Sequence, residues 1–276
     1  MAGPLDDILE KTPQYGAGLN TAILQFASPP FTFKTNAPSK AEMVELIDKS
    51  LAEGALGVKL LGGHYPLTPE VSSTLIKTAL ERRAYVAWHA GTSAHGSNLE
   101  GMIEAVQTAD GYPLHLAHIN AYCRGAIKNE IDEARTAVEL LNANPNIFSE
   151  SYISPKNGTR LTCGPDGKIQ SKVTGNCLRH FGFTEDRDGV RKALLAHKAF
   201  AVYDAGGYSD LMTGEDAVKL WESHNTDVGG SFNINPPIPR ILLAQVKRPD
   251  GAFVVDAIST DGGCIPRNVI LSQGLS

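Results

Sequence analysis

The sequence has few cysteines, no long apolar run and no cluster of basic residues. Its 4 Cys residues include no Cys-x-x-Cys pair, so we expect free thiols and a reducing, cytoplasmic location. The longest apolar runs, such as 199–202 and 241–244, are too short to span a bilayer, and the N-terminus lacks the basic start and apolar core of a signal peptide. With a net charge of −5 and no Lys/Arg-rich run, we expect neither a nucleic-acid nor a membrane partner.

Short apolar segments alternate with amphipathic segments along most of the chain. The pattern predicts strands at 21–26, 57–61, 85–89 and 114–119. It predicts helices at 41–53, 69–82, 97–109 and 129–141, with Ser39 and Thr68 as N-caps of the first two. Strands separated by helices of this length indicate βαβ units and a parallel sheet, so the predicted fold class is α/β.

The middle of the chain departs from this pattern. Residues from about 150 to 185 are rich in Gly, Pro, Lys, Thr and Asn, and either a lid-like insertion or a small subdomain would explain them. The alternation then returns, with helices predicted at 187–197 and 214–223 and strands at 199–203, 231–234 and 252–259. We therefore expect residues 1–276 to form one domain that carries an insertion.

Several predicted strands carry or end in a side chain that can bind a metal: Lys59, His89, His118 and Asp261. In a parallel sheet, functional groups gather at the carboxyl ends of the strands. Each residue has a structural alternative, since a lysine can extend to solvent, a histidine can pack in the core and an aspartate can cap the next segment. Imidazole and carboxylate together suit Zn²⁺ and similar divalent ions.

The segment 114–119 contains two histidines, His115 and His118. Side chains alternate between the two faces of a strand, so residues three positions apart lie on opposite faces. We therefore expect His118 to point toward the site and His115 to be structural.

In this order, the four residues resemble the metal ligands of the amidohydrolase superfamily, in particular its hydantoinase and dihydroorotase-like branch. That pattern places Lys, His, His and Asp on the fourth, fifth, sixth and eighth strands of a (β/α)8 TIM-type barrel. Residues 233–240, Asn-Ile-Asn-Pro-Pro-Ile-Pro-Arg, are similar to the Asn-Pro-Pro-Leu-Arg segment that ends the seventh strand there. Residues 54–57 are also similar to N-acyl-D-amino-acid deacylases. The resemblance covers about 20–265, with a poor match over 150–230.

The resemblance implies a metal-dependent hydrolase that cleaves a non-peptide C–N bond in a cyclic amide or an N-acyl amino acid. By this resemblance Lys59 is carboxylated and bridges two divalent ions, zinc being typical, and His89 and His118 hold the more exposed ion. Asp261 would bind the buried ion and act as general base and acid toward a metal-activated hydroxide. The substrate would be a small molecule. A deaminase on the same scaffold is the alternative, and a homo-oligomer stays open.

One part of the family pattern is missing. The family's first strand carries a His-x-His pair, whereas this sequence contains none, and the first of its 8 His residues is His64. The flanking β-sandwich is also missing. We therefore expect an incomplete barrel whose first strand or strands lie upstream, holding one or two ions per complete site. The alternative is a natural one-metal site or an inactive truncated barrel.

Four further residues are candidate substrate contacts. Arg124 is placed to bind a carboxylate and Tyr122 to donate to an oxyanion, although loop packing explains both equally well. Asn235, by the family resemblance, would bond an amide of the substrate. His64 lies on a Gly-containing loop just beyond Lys59, where it can line the pocket.

Overall fold

The computed structural model describes residues 2–3, 5–15 and 22–261. The chain divides into two compact units, a first unit of Met1–Glu150 with Gln245–Ala257 and a second unit of Ser151–Ala244 with Ile258–Ser276. No helix among the described residues is long and apolar enough to cross a membrane. Three of the four cysteines, Cys123, Cys163 and Cys177, are free thiols, as the sequence predicts.

Strands and helices alternate through the first unit. Its elements up to the unit boundary are β1 (Ala2–Gly3), α1 (Leu5–Tyr15), β2 (Leu24–Phe26), α2 (Lys40–Ala52), β3 (Gly57–Leu61), α3 (Pro69–Glu81), β4 (Tyr85–His89), α4 (Leu99–Ala109), β5 (Leu114–Leu116), α5 (Glu130–Ala143) and β6 (Ile147–Tyr152). Neighbouring strands from β1 to β6 pair in parallel, in chain order. The predicted parallel α/β arrangement is confirmed for this part of the chain.

Local sequence signals determine where the helices of this unit begin. Ser39 forms a capping box with Glu42, and Thr68 accepts the backbone N–H of Val71 with Pro69 in the first turn of α3. Asn98 and Asn129 cap α4 and α5 in the same way. The predicted bounds of β3 and β4 match the structure at both ends, and β2 and β5 are shorter than predicted.

The two faces of this sheet differ in composition. Val58, Leu60, Val86 and Trp88 alternate along β3 and β4 and are at most 3% exposed. The residues between them in each strand point to the second face of the sheet. On that face Lys59 of β3 is paired with Ala87 of β4, and Ala87 is paired with His115 of β5. Lys59 and His115 therefore share one face of the sheet, opposite the apolar side chains of β3 and β4.

The second unit contains a separate antiparallel sheet. Its elements are β7 (Lys156–Arg160), α6 (Lys172–His180), α7 (Arg187–Leu195), β8 (Ala199–Asp204), β9 (Ser209–Met212), α8 (Glu215–Ser223) and β10 (Gly229–Asn233), and the sheet order is β7-β10-β8-β9. The predicted helices and strands return after residue 187, but β10 pairs antiparallel with β7 and β8, so these strands do not continue the parallel sheet. An apolar core that includes Trp221 and Phe232 supports the unit.

The remaining elements are α9 (Pro237–Gln245) and β11 (Ala257–Ser259). β11 follows β6 in the strand order of the seven-stranded sheet. Within the first unit, the Asp256 carboxylate accepts from the backbone N–H of Ser149 at 2.8 Å and from its hydroxyl at 3.1 Å. The segment predicted as an insertion at about 150–185 falls in the second unit, which continues to Ala244.

Candidate metal centre

His89 is the last residue of β4, and its ring is fixed from two sides. Its Nε2 lies 2.8 Å from the hydroxyl of Ser97 in the loop before α4. Gly63, after β3, lies so close that a Cβ there would be 2.4 Å from the same nitrogen. Burial is the main cause that holds the pKa of His89 well below its usual value, and electrostatic repulsion from His118, His64, Lys59 and Arg124 adds to the lowering. His89 is therefore neutral near pH 7, the form in which imidazole binds metals.

His118 follows β5 and leaves the strand conformation. Its backbone is left-handed, with φ 59° and ψ 50°, and the residue is 6% exposed. Oε1 of Glu150, near the end of β6, lies 2.6 Å from His118 Nδ1 and accepts the His118 backbone N–H at 2.9 Å. The carboxylate thus holds the backbone of this histidine and lies beside its ring.

The rings of His89 and His118 lie side by side, with 5.2 Å between centroids and an interplanar angle of 66°. Imidazole nitrogens bind zinc at about 2.0–2.1 Å, so two imidazoles on one tetrahedral ion have centroids roughly 5 Å apart. Nε2 of His89 contacts Ser97 and Nδ1 of His118 contacts Glu150, so a shared ion would bind the opposite nitrogens, Nδ1 of His89 and Nε2 of His118. The pair fits half of a metal site.

Lys59 lies in the first unit and Asp261 in the second. Lys59 lies within β3, on the sheet face that also carries His89, and its charge contributes to the lowered pKa of His89. Asp261 belongs to the second unit and has a left-handed backbone, with φ 42°. Among the described residues, no three His, Cys, Asp or Glu side chains form a group that could hold an ion. The ligand roles of Lys59 and Asp261 stay predictions.

Tyr122 has a structural position that the sequence does not reveal. The residue is fully buried, its hydroxyl donates to the carbonyl of Ala117 at 2.6 Å and it accepts the backbone N–H of Ala90 at 2.8 Å. In this structure the Tyr122 hydroxyl donates to Ala117, and its donation to an oxyanion stays a prediction. Tyr122 joins the ends of β4 and β5, and its ring packs edge-on against His89 with 6.1 Å between centroids.

Asn235, in the second unit, also has a structural role. Its side-chain Nδ2 donates to the carbonyls of Ser154 and Lys156 at 3.1 Å each and lies 3.2 Å from the hydroxyl of Tyr152. The contact of Asn235 with an amide of the substrate stays a prediction. The Asn-Pro-Pro segment therefore anchors residues 152–156.

The other two substrate candidates lie near His89. The ring of His64 is exposed and stands 6.1 Å from that of His89. Arg124 is partly buried, and its charge contributes to the lowered pKa of His89. Their roles stay predictions, and both positions are consistent with the rim of a site around His89.

The placement of His115 corrects the argument from strand alternation. Its ring packs between Tyr85 and Phe148, at centroid distances of 5.8 and 5.1 Å, and the pairing with Ala87 puts it on the same face as Lys59. The expectation that His115 and His118 lie on opposite faces is wrong, because β5 ends at Leu116 and the left-handed turn at His118 breaks the alternation.

Two residues of the candidate site were missed from the sequence. Ser97 contacts His89, but a serine near a helix start is usually interpreted as a cap. Glu150 lies in β6, whose Ser-Glu-Ser sequence hides the apolar pattern of a strand. The signal that could have identified Glu150 is its place near the end of the strand that follows β5.

Substituting Gly63 with alanine is expected to push the His89 ring out of place, because the new Cβ would lie 2.4 Å from Nε2. We expect zinc affinity to fall on the order of tenfold, as for other changes that misorient a ligand. The measurement is zinc titration against a chromophoric chelator. Gly96→Ala is the matched control, since nothing lies within 4 Å of a Cβ there. Equal affinity in the two variants would contradict this role of Gly63.

No protein-family model and no curated protein matches the sequence. The structure is similar to three solved structures of D-aminoacylase, at TM-scores of 0.55–0.56 and 13–14% identity over 93–94% of this chain. It is also similar to the zinc complex of N-acyl-D-glutamate deacylase from Bordetella bronchiseptica, at a TM-score of 0.50 and 12% identity over 87% of this chain. A third neighbour is the formyltransferase/hydrolase complex of Methylorubrum extorquens, at a TM-score of 0.53 and 14% identity over 95%.

These neighbours are larger than the present chain, which spans about half the length of the D-aminoacylase structures, 51%, and 49% and 48% of the other two chains. One D-aminoacylase structure is described as defining a subset of amidohydrolases, and another concerns a binuclear metal centre. The resemblance seen in the sequence is thus confirmed at the level of fold alone, since the D-aminoacylase structure described as defining a subset of amidohydrolases is similar in fold to this chain.

Proposed function

We propose that this chain is part of a metal-dependent amidohydrolase barrel that cleaves a non-peptide C–N bond. The observation that carries the proposal is the juxtaposition of His89 and His118 at the ends of adjacent parallel strands, 5.2 Å apart between ring centroids. Each ring has a second partner, Ser97 or Glu150, as is usual for histidines that bind metals. The similarity in fold to metal-containing deacylases supports the same interpretation.

The residues that would hold a divalent ion are His89 through Nδ1 and His118 through Nε2. Lys59 is the proposed bridge to a second ion, in its carboxylated form, and Asp261 the proposed general base and acid. A divalent ion supplies Lewis acidity, which polarises an amide carbonyl and acidifies water. The neutral state of His89, maintained by burial, keeps its nitrogen lone pair available at neutral pH.

The proposed substrate class is an N-acyl amino acid. Two neighbours bear the names D-aminoacylase and N-acyl-D-glutamate deacylase. Near His89 this chain has the guanidinium of Arg124, which can bind a carboxylate through two parallel hydrogen bonds. An N-acyl amino acid carries a free carboxylate, whereas a simple cyclic amide does not, so Arg124 favours the acyclic substrate.

The proposal predicts zinc-dependent release of acetate from N-acetyl-D-amino acids by the purified chain. The panel includes hydantoin and an amidine as alternative substrates, and acetate or ammonia is measured before and after chelation. We expect chelation to abolish the activity and Lys59→Ala to lower it at least about 100-fold. Lys77→Ala is the control, since that ammonium lies on the surface, 3.3 Å from Asp110. Hydrolysis that survives chelation, or an equal loss of activity in Lys59→Ala and Lys77→Ala, would contradict the proposal.

A further inference from the structure

We infer that Glu133 is a positioning residue that holds Arg124 in place for the carboxylate of an N-acyl amino acid. The inference rests on the proposed function in that Arg124 is the group that binds this carboxylate. Glu133 lies in the first turn of α5, whose N-cap is Asn129, and Arg124 lies in the segment between β5 and that helix. All of these residues belong to the first unit.

The Glu133 side chain is fully buried and binds one backbone loop. Its Oε2 accepts the N–H of Gly125 at 2.7 Å, and its Oε1 accepts the N–H groups of Ile127 and Lys128 at 2.7 and 3.0 Å. Burial of a carboxylate is costly unless hydrogen bonds replace its water. Here three bonds from residues 125–128 replace it, so Glu133 and the loop fix each other.

Arg124 lies between a buried segment and an exposed one. Residues 119–123 before it are at most 3% exposed, whereas residues 125–129 after it are all exposed. Packing therefore holds the chain before Arg124, and the Glu133 carboxylate holds the chain after it. The N–H that Oε2 accepts belongs to Gly125, the residue directly after Arg124, so this bond acts on the backbone next to the arginine.

The position of the Arg124 backbone matters because of the bond that its side chain would make. A guanidinium binds a carboxylate through two parallel hydrogen bonds, and this geometry tolerates little displacement. Arg124 is partly buried, and its charge acts on His89, so the side chain lies on the side of the candidate site. A shift of the loop should therefore weaken the binding of a ligand with a carboxylate and leave an uncharged amide unaffected.

Two substitutions disturb the loop in different ways. Glu133→Gln keeps the size of the side chain but turns an NH₂ group toward a backbone N–H, so at least one of the three bonds is lost. Gly125→Ala leaves the buried carboxylate in place and strains the exposed loop, because alanine adopts a φ of +78° only at a cost. An effect that both variants share does not come from damage to the interior.

Each variant has a matched control. Glu139→Gln makes the same chemical change at an exposed position of α5. Gly111→Ala makes the same change at another exposed glycine of the first unit, with a φ of +77° and nothing within 4 Å of the added Cβ.

The test uses two probes that differ only in the carboxylate, N-acetyl-D-alanine and N-acetyl-D-alaninamide. NMR titration of the full chain in the presence of zinc gives the affinity for each probe, and acetate release is measured separately. Hydrogen exchange at the amides of Gly125, Ile127 and Lys128 reports whether the loop is held. The double variant of Glu133→Gln with Arg124→Ala shows whether Glu133 acts through the arginine.

We expect the wild type to bind N-acetyl-D-alanine more tightly than its amide. Glu133→Gln and Gly125→Ala should each weaken the binding of N-acetyl-D-alanine about tenfold, the usual effect of losing a hydrogen bond to a charged group. Affinity for the amide should stay within about twofold, amide exchange in the loop should become faster, and both controls should behave as the wild type. Once Arg124 is alanine, Glu133→Gln should have no further effect on affinity.

An equal loss of affinity for both probes in Glu133→Gln would overturn the inference, since the loop would then matter for the fold alone. The same follows if the wild type shows no preference for the carboxylate, or if the full loss recurs when Arg124 is alanine. Carboxylate binding that depends on Glu133 as expected, but without acetate release, would sink the proposed function and leave the positioning role. Acetate release with unchanged affinity in Glu133→Gln would do the reverse.

Discussion

Replacing His89 and His118 together with alanine is expected to lower the zinc affinity of the chain by more than about 100-fold, since loss of a supporting residue alone costs roughly 10- to 100-fold. The two rings lie 5.2 Å apart between centroids, closer than the 6.1 Å between the rings of His64 and His89. The measurement is chelator competition at pH 7, where the lowered pKa of His89 keeps its ring neutral.

The matched control replaces two histidines that lie outside the candidate site. His95 and His224 are both exposed, and their rings contact Glu104 and the carbonyl of Leu220. The double variant His95→Ala with His224→Ala should bind zinc as the wild type does. Each single substitution, His89→Ala or His118→Ala, should already produce most of the loss, because two ligands of one ion are strongly coupled. If each single substitution lowered zinc affinity only slightly and the two losses simply added, the two histidines would not share one ion.

Acidification from pH 7 to pH 4 is expected to destabilise the fold through His115. Burial is the main cause that lowers the pKa of His115 from its usual value of 6.5 to about 4, because the ring lies between Tyr85 and Phe148. The contribution to the free energy of unfolding is at most about 3 kcal/mol, since a tenfold change in proton affinity corresponds to roughly 1.4 kcal/mol.

The sign follows from proton binding. Between pH 6.5 and about 4 the unfolded chain binds a proton at this histidine and the folded chain does not, so stability falls as the pH is lowered through this range. Above pH 6.5 the ring is neutral in both states and stability no longer changes with pH through this group. His89, whose pKa is also lowered by burial, acts in the same direction.

Denaturant unfolding of wild type and His115→Phe at pH 7 and pH 4 measures this contribution. The variant keeps an aromatic ring between Tyr85 and Phe148 and removes the titrating group. Its loss of stability between pH 7 and pH 4 should therefore be smaller than that of the wild type by up to about 3 kcal/mol. His224→Phe, at an exposed position, should behave as the wild type. Equal acid losses in wild type and His115→Phe would show that His115 is not the acid-sensitive group.

Local signals predict the first unit well. The periodicity of 57–61 and 85–89 matches β3 and β4, and the caps at Ser39 and Thr68 act as expected, because these features depend on neighbours in sequence. Pairing partners do not follow from such signals. The segments at 199–203 and 231–234 form strands over most of their length, but they pair antiparallel in a separate sheet, since an apolar run does not specify its neighbour.

The candidate site is predictable only in part, for a similar reason. His89 ends a strand as expected, whereas the geometry of His118 depends on a left-handed turn stabilised by Glu150, 32 positions further along the chain. Tyr122 looks like a substrate donor in sequence, but its hydroxyl joins two strand ends. Hydrogen bonds between distant segments determine these roles, and one sequence does not contain that information.

Diffraction at the zinc edge, from crystals of the zinc-loaded chain, tests most directly whether His89 and His118 bind one ion. The account predicts an anomalous peak within about 2.0–2.1 Å of both Nδ1 of His89 and Nε2 of His118. A zinc peak bound by only one of these rings, or by residues elsewhere in the chain, would contradict it.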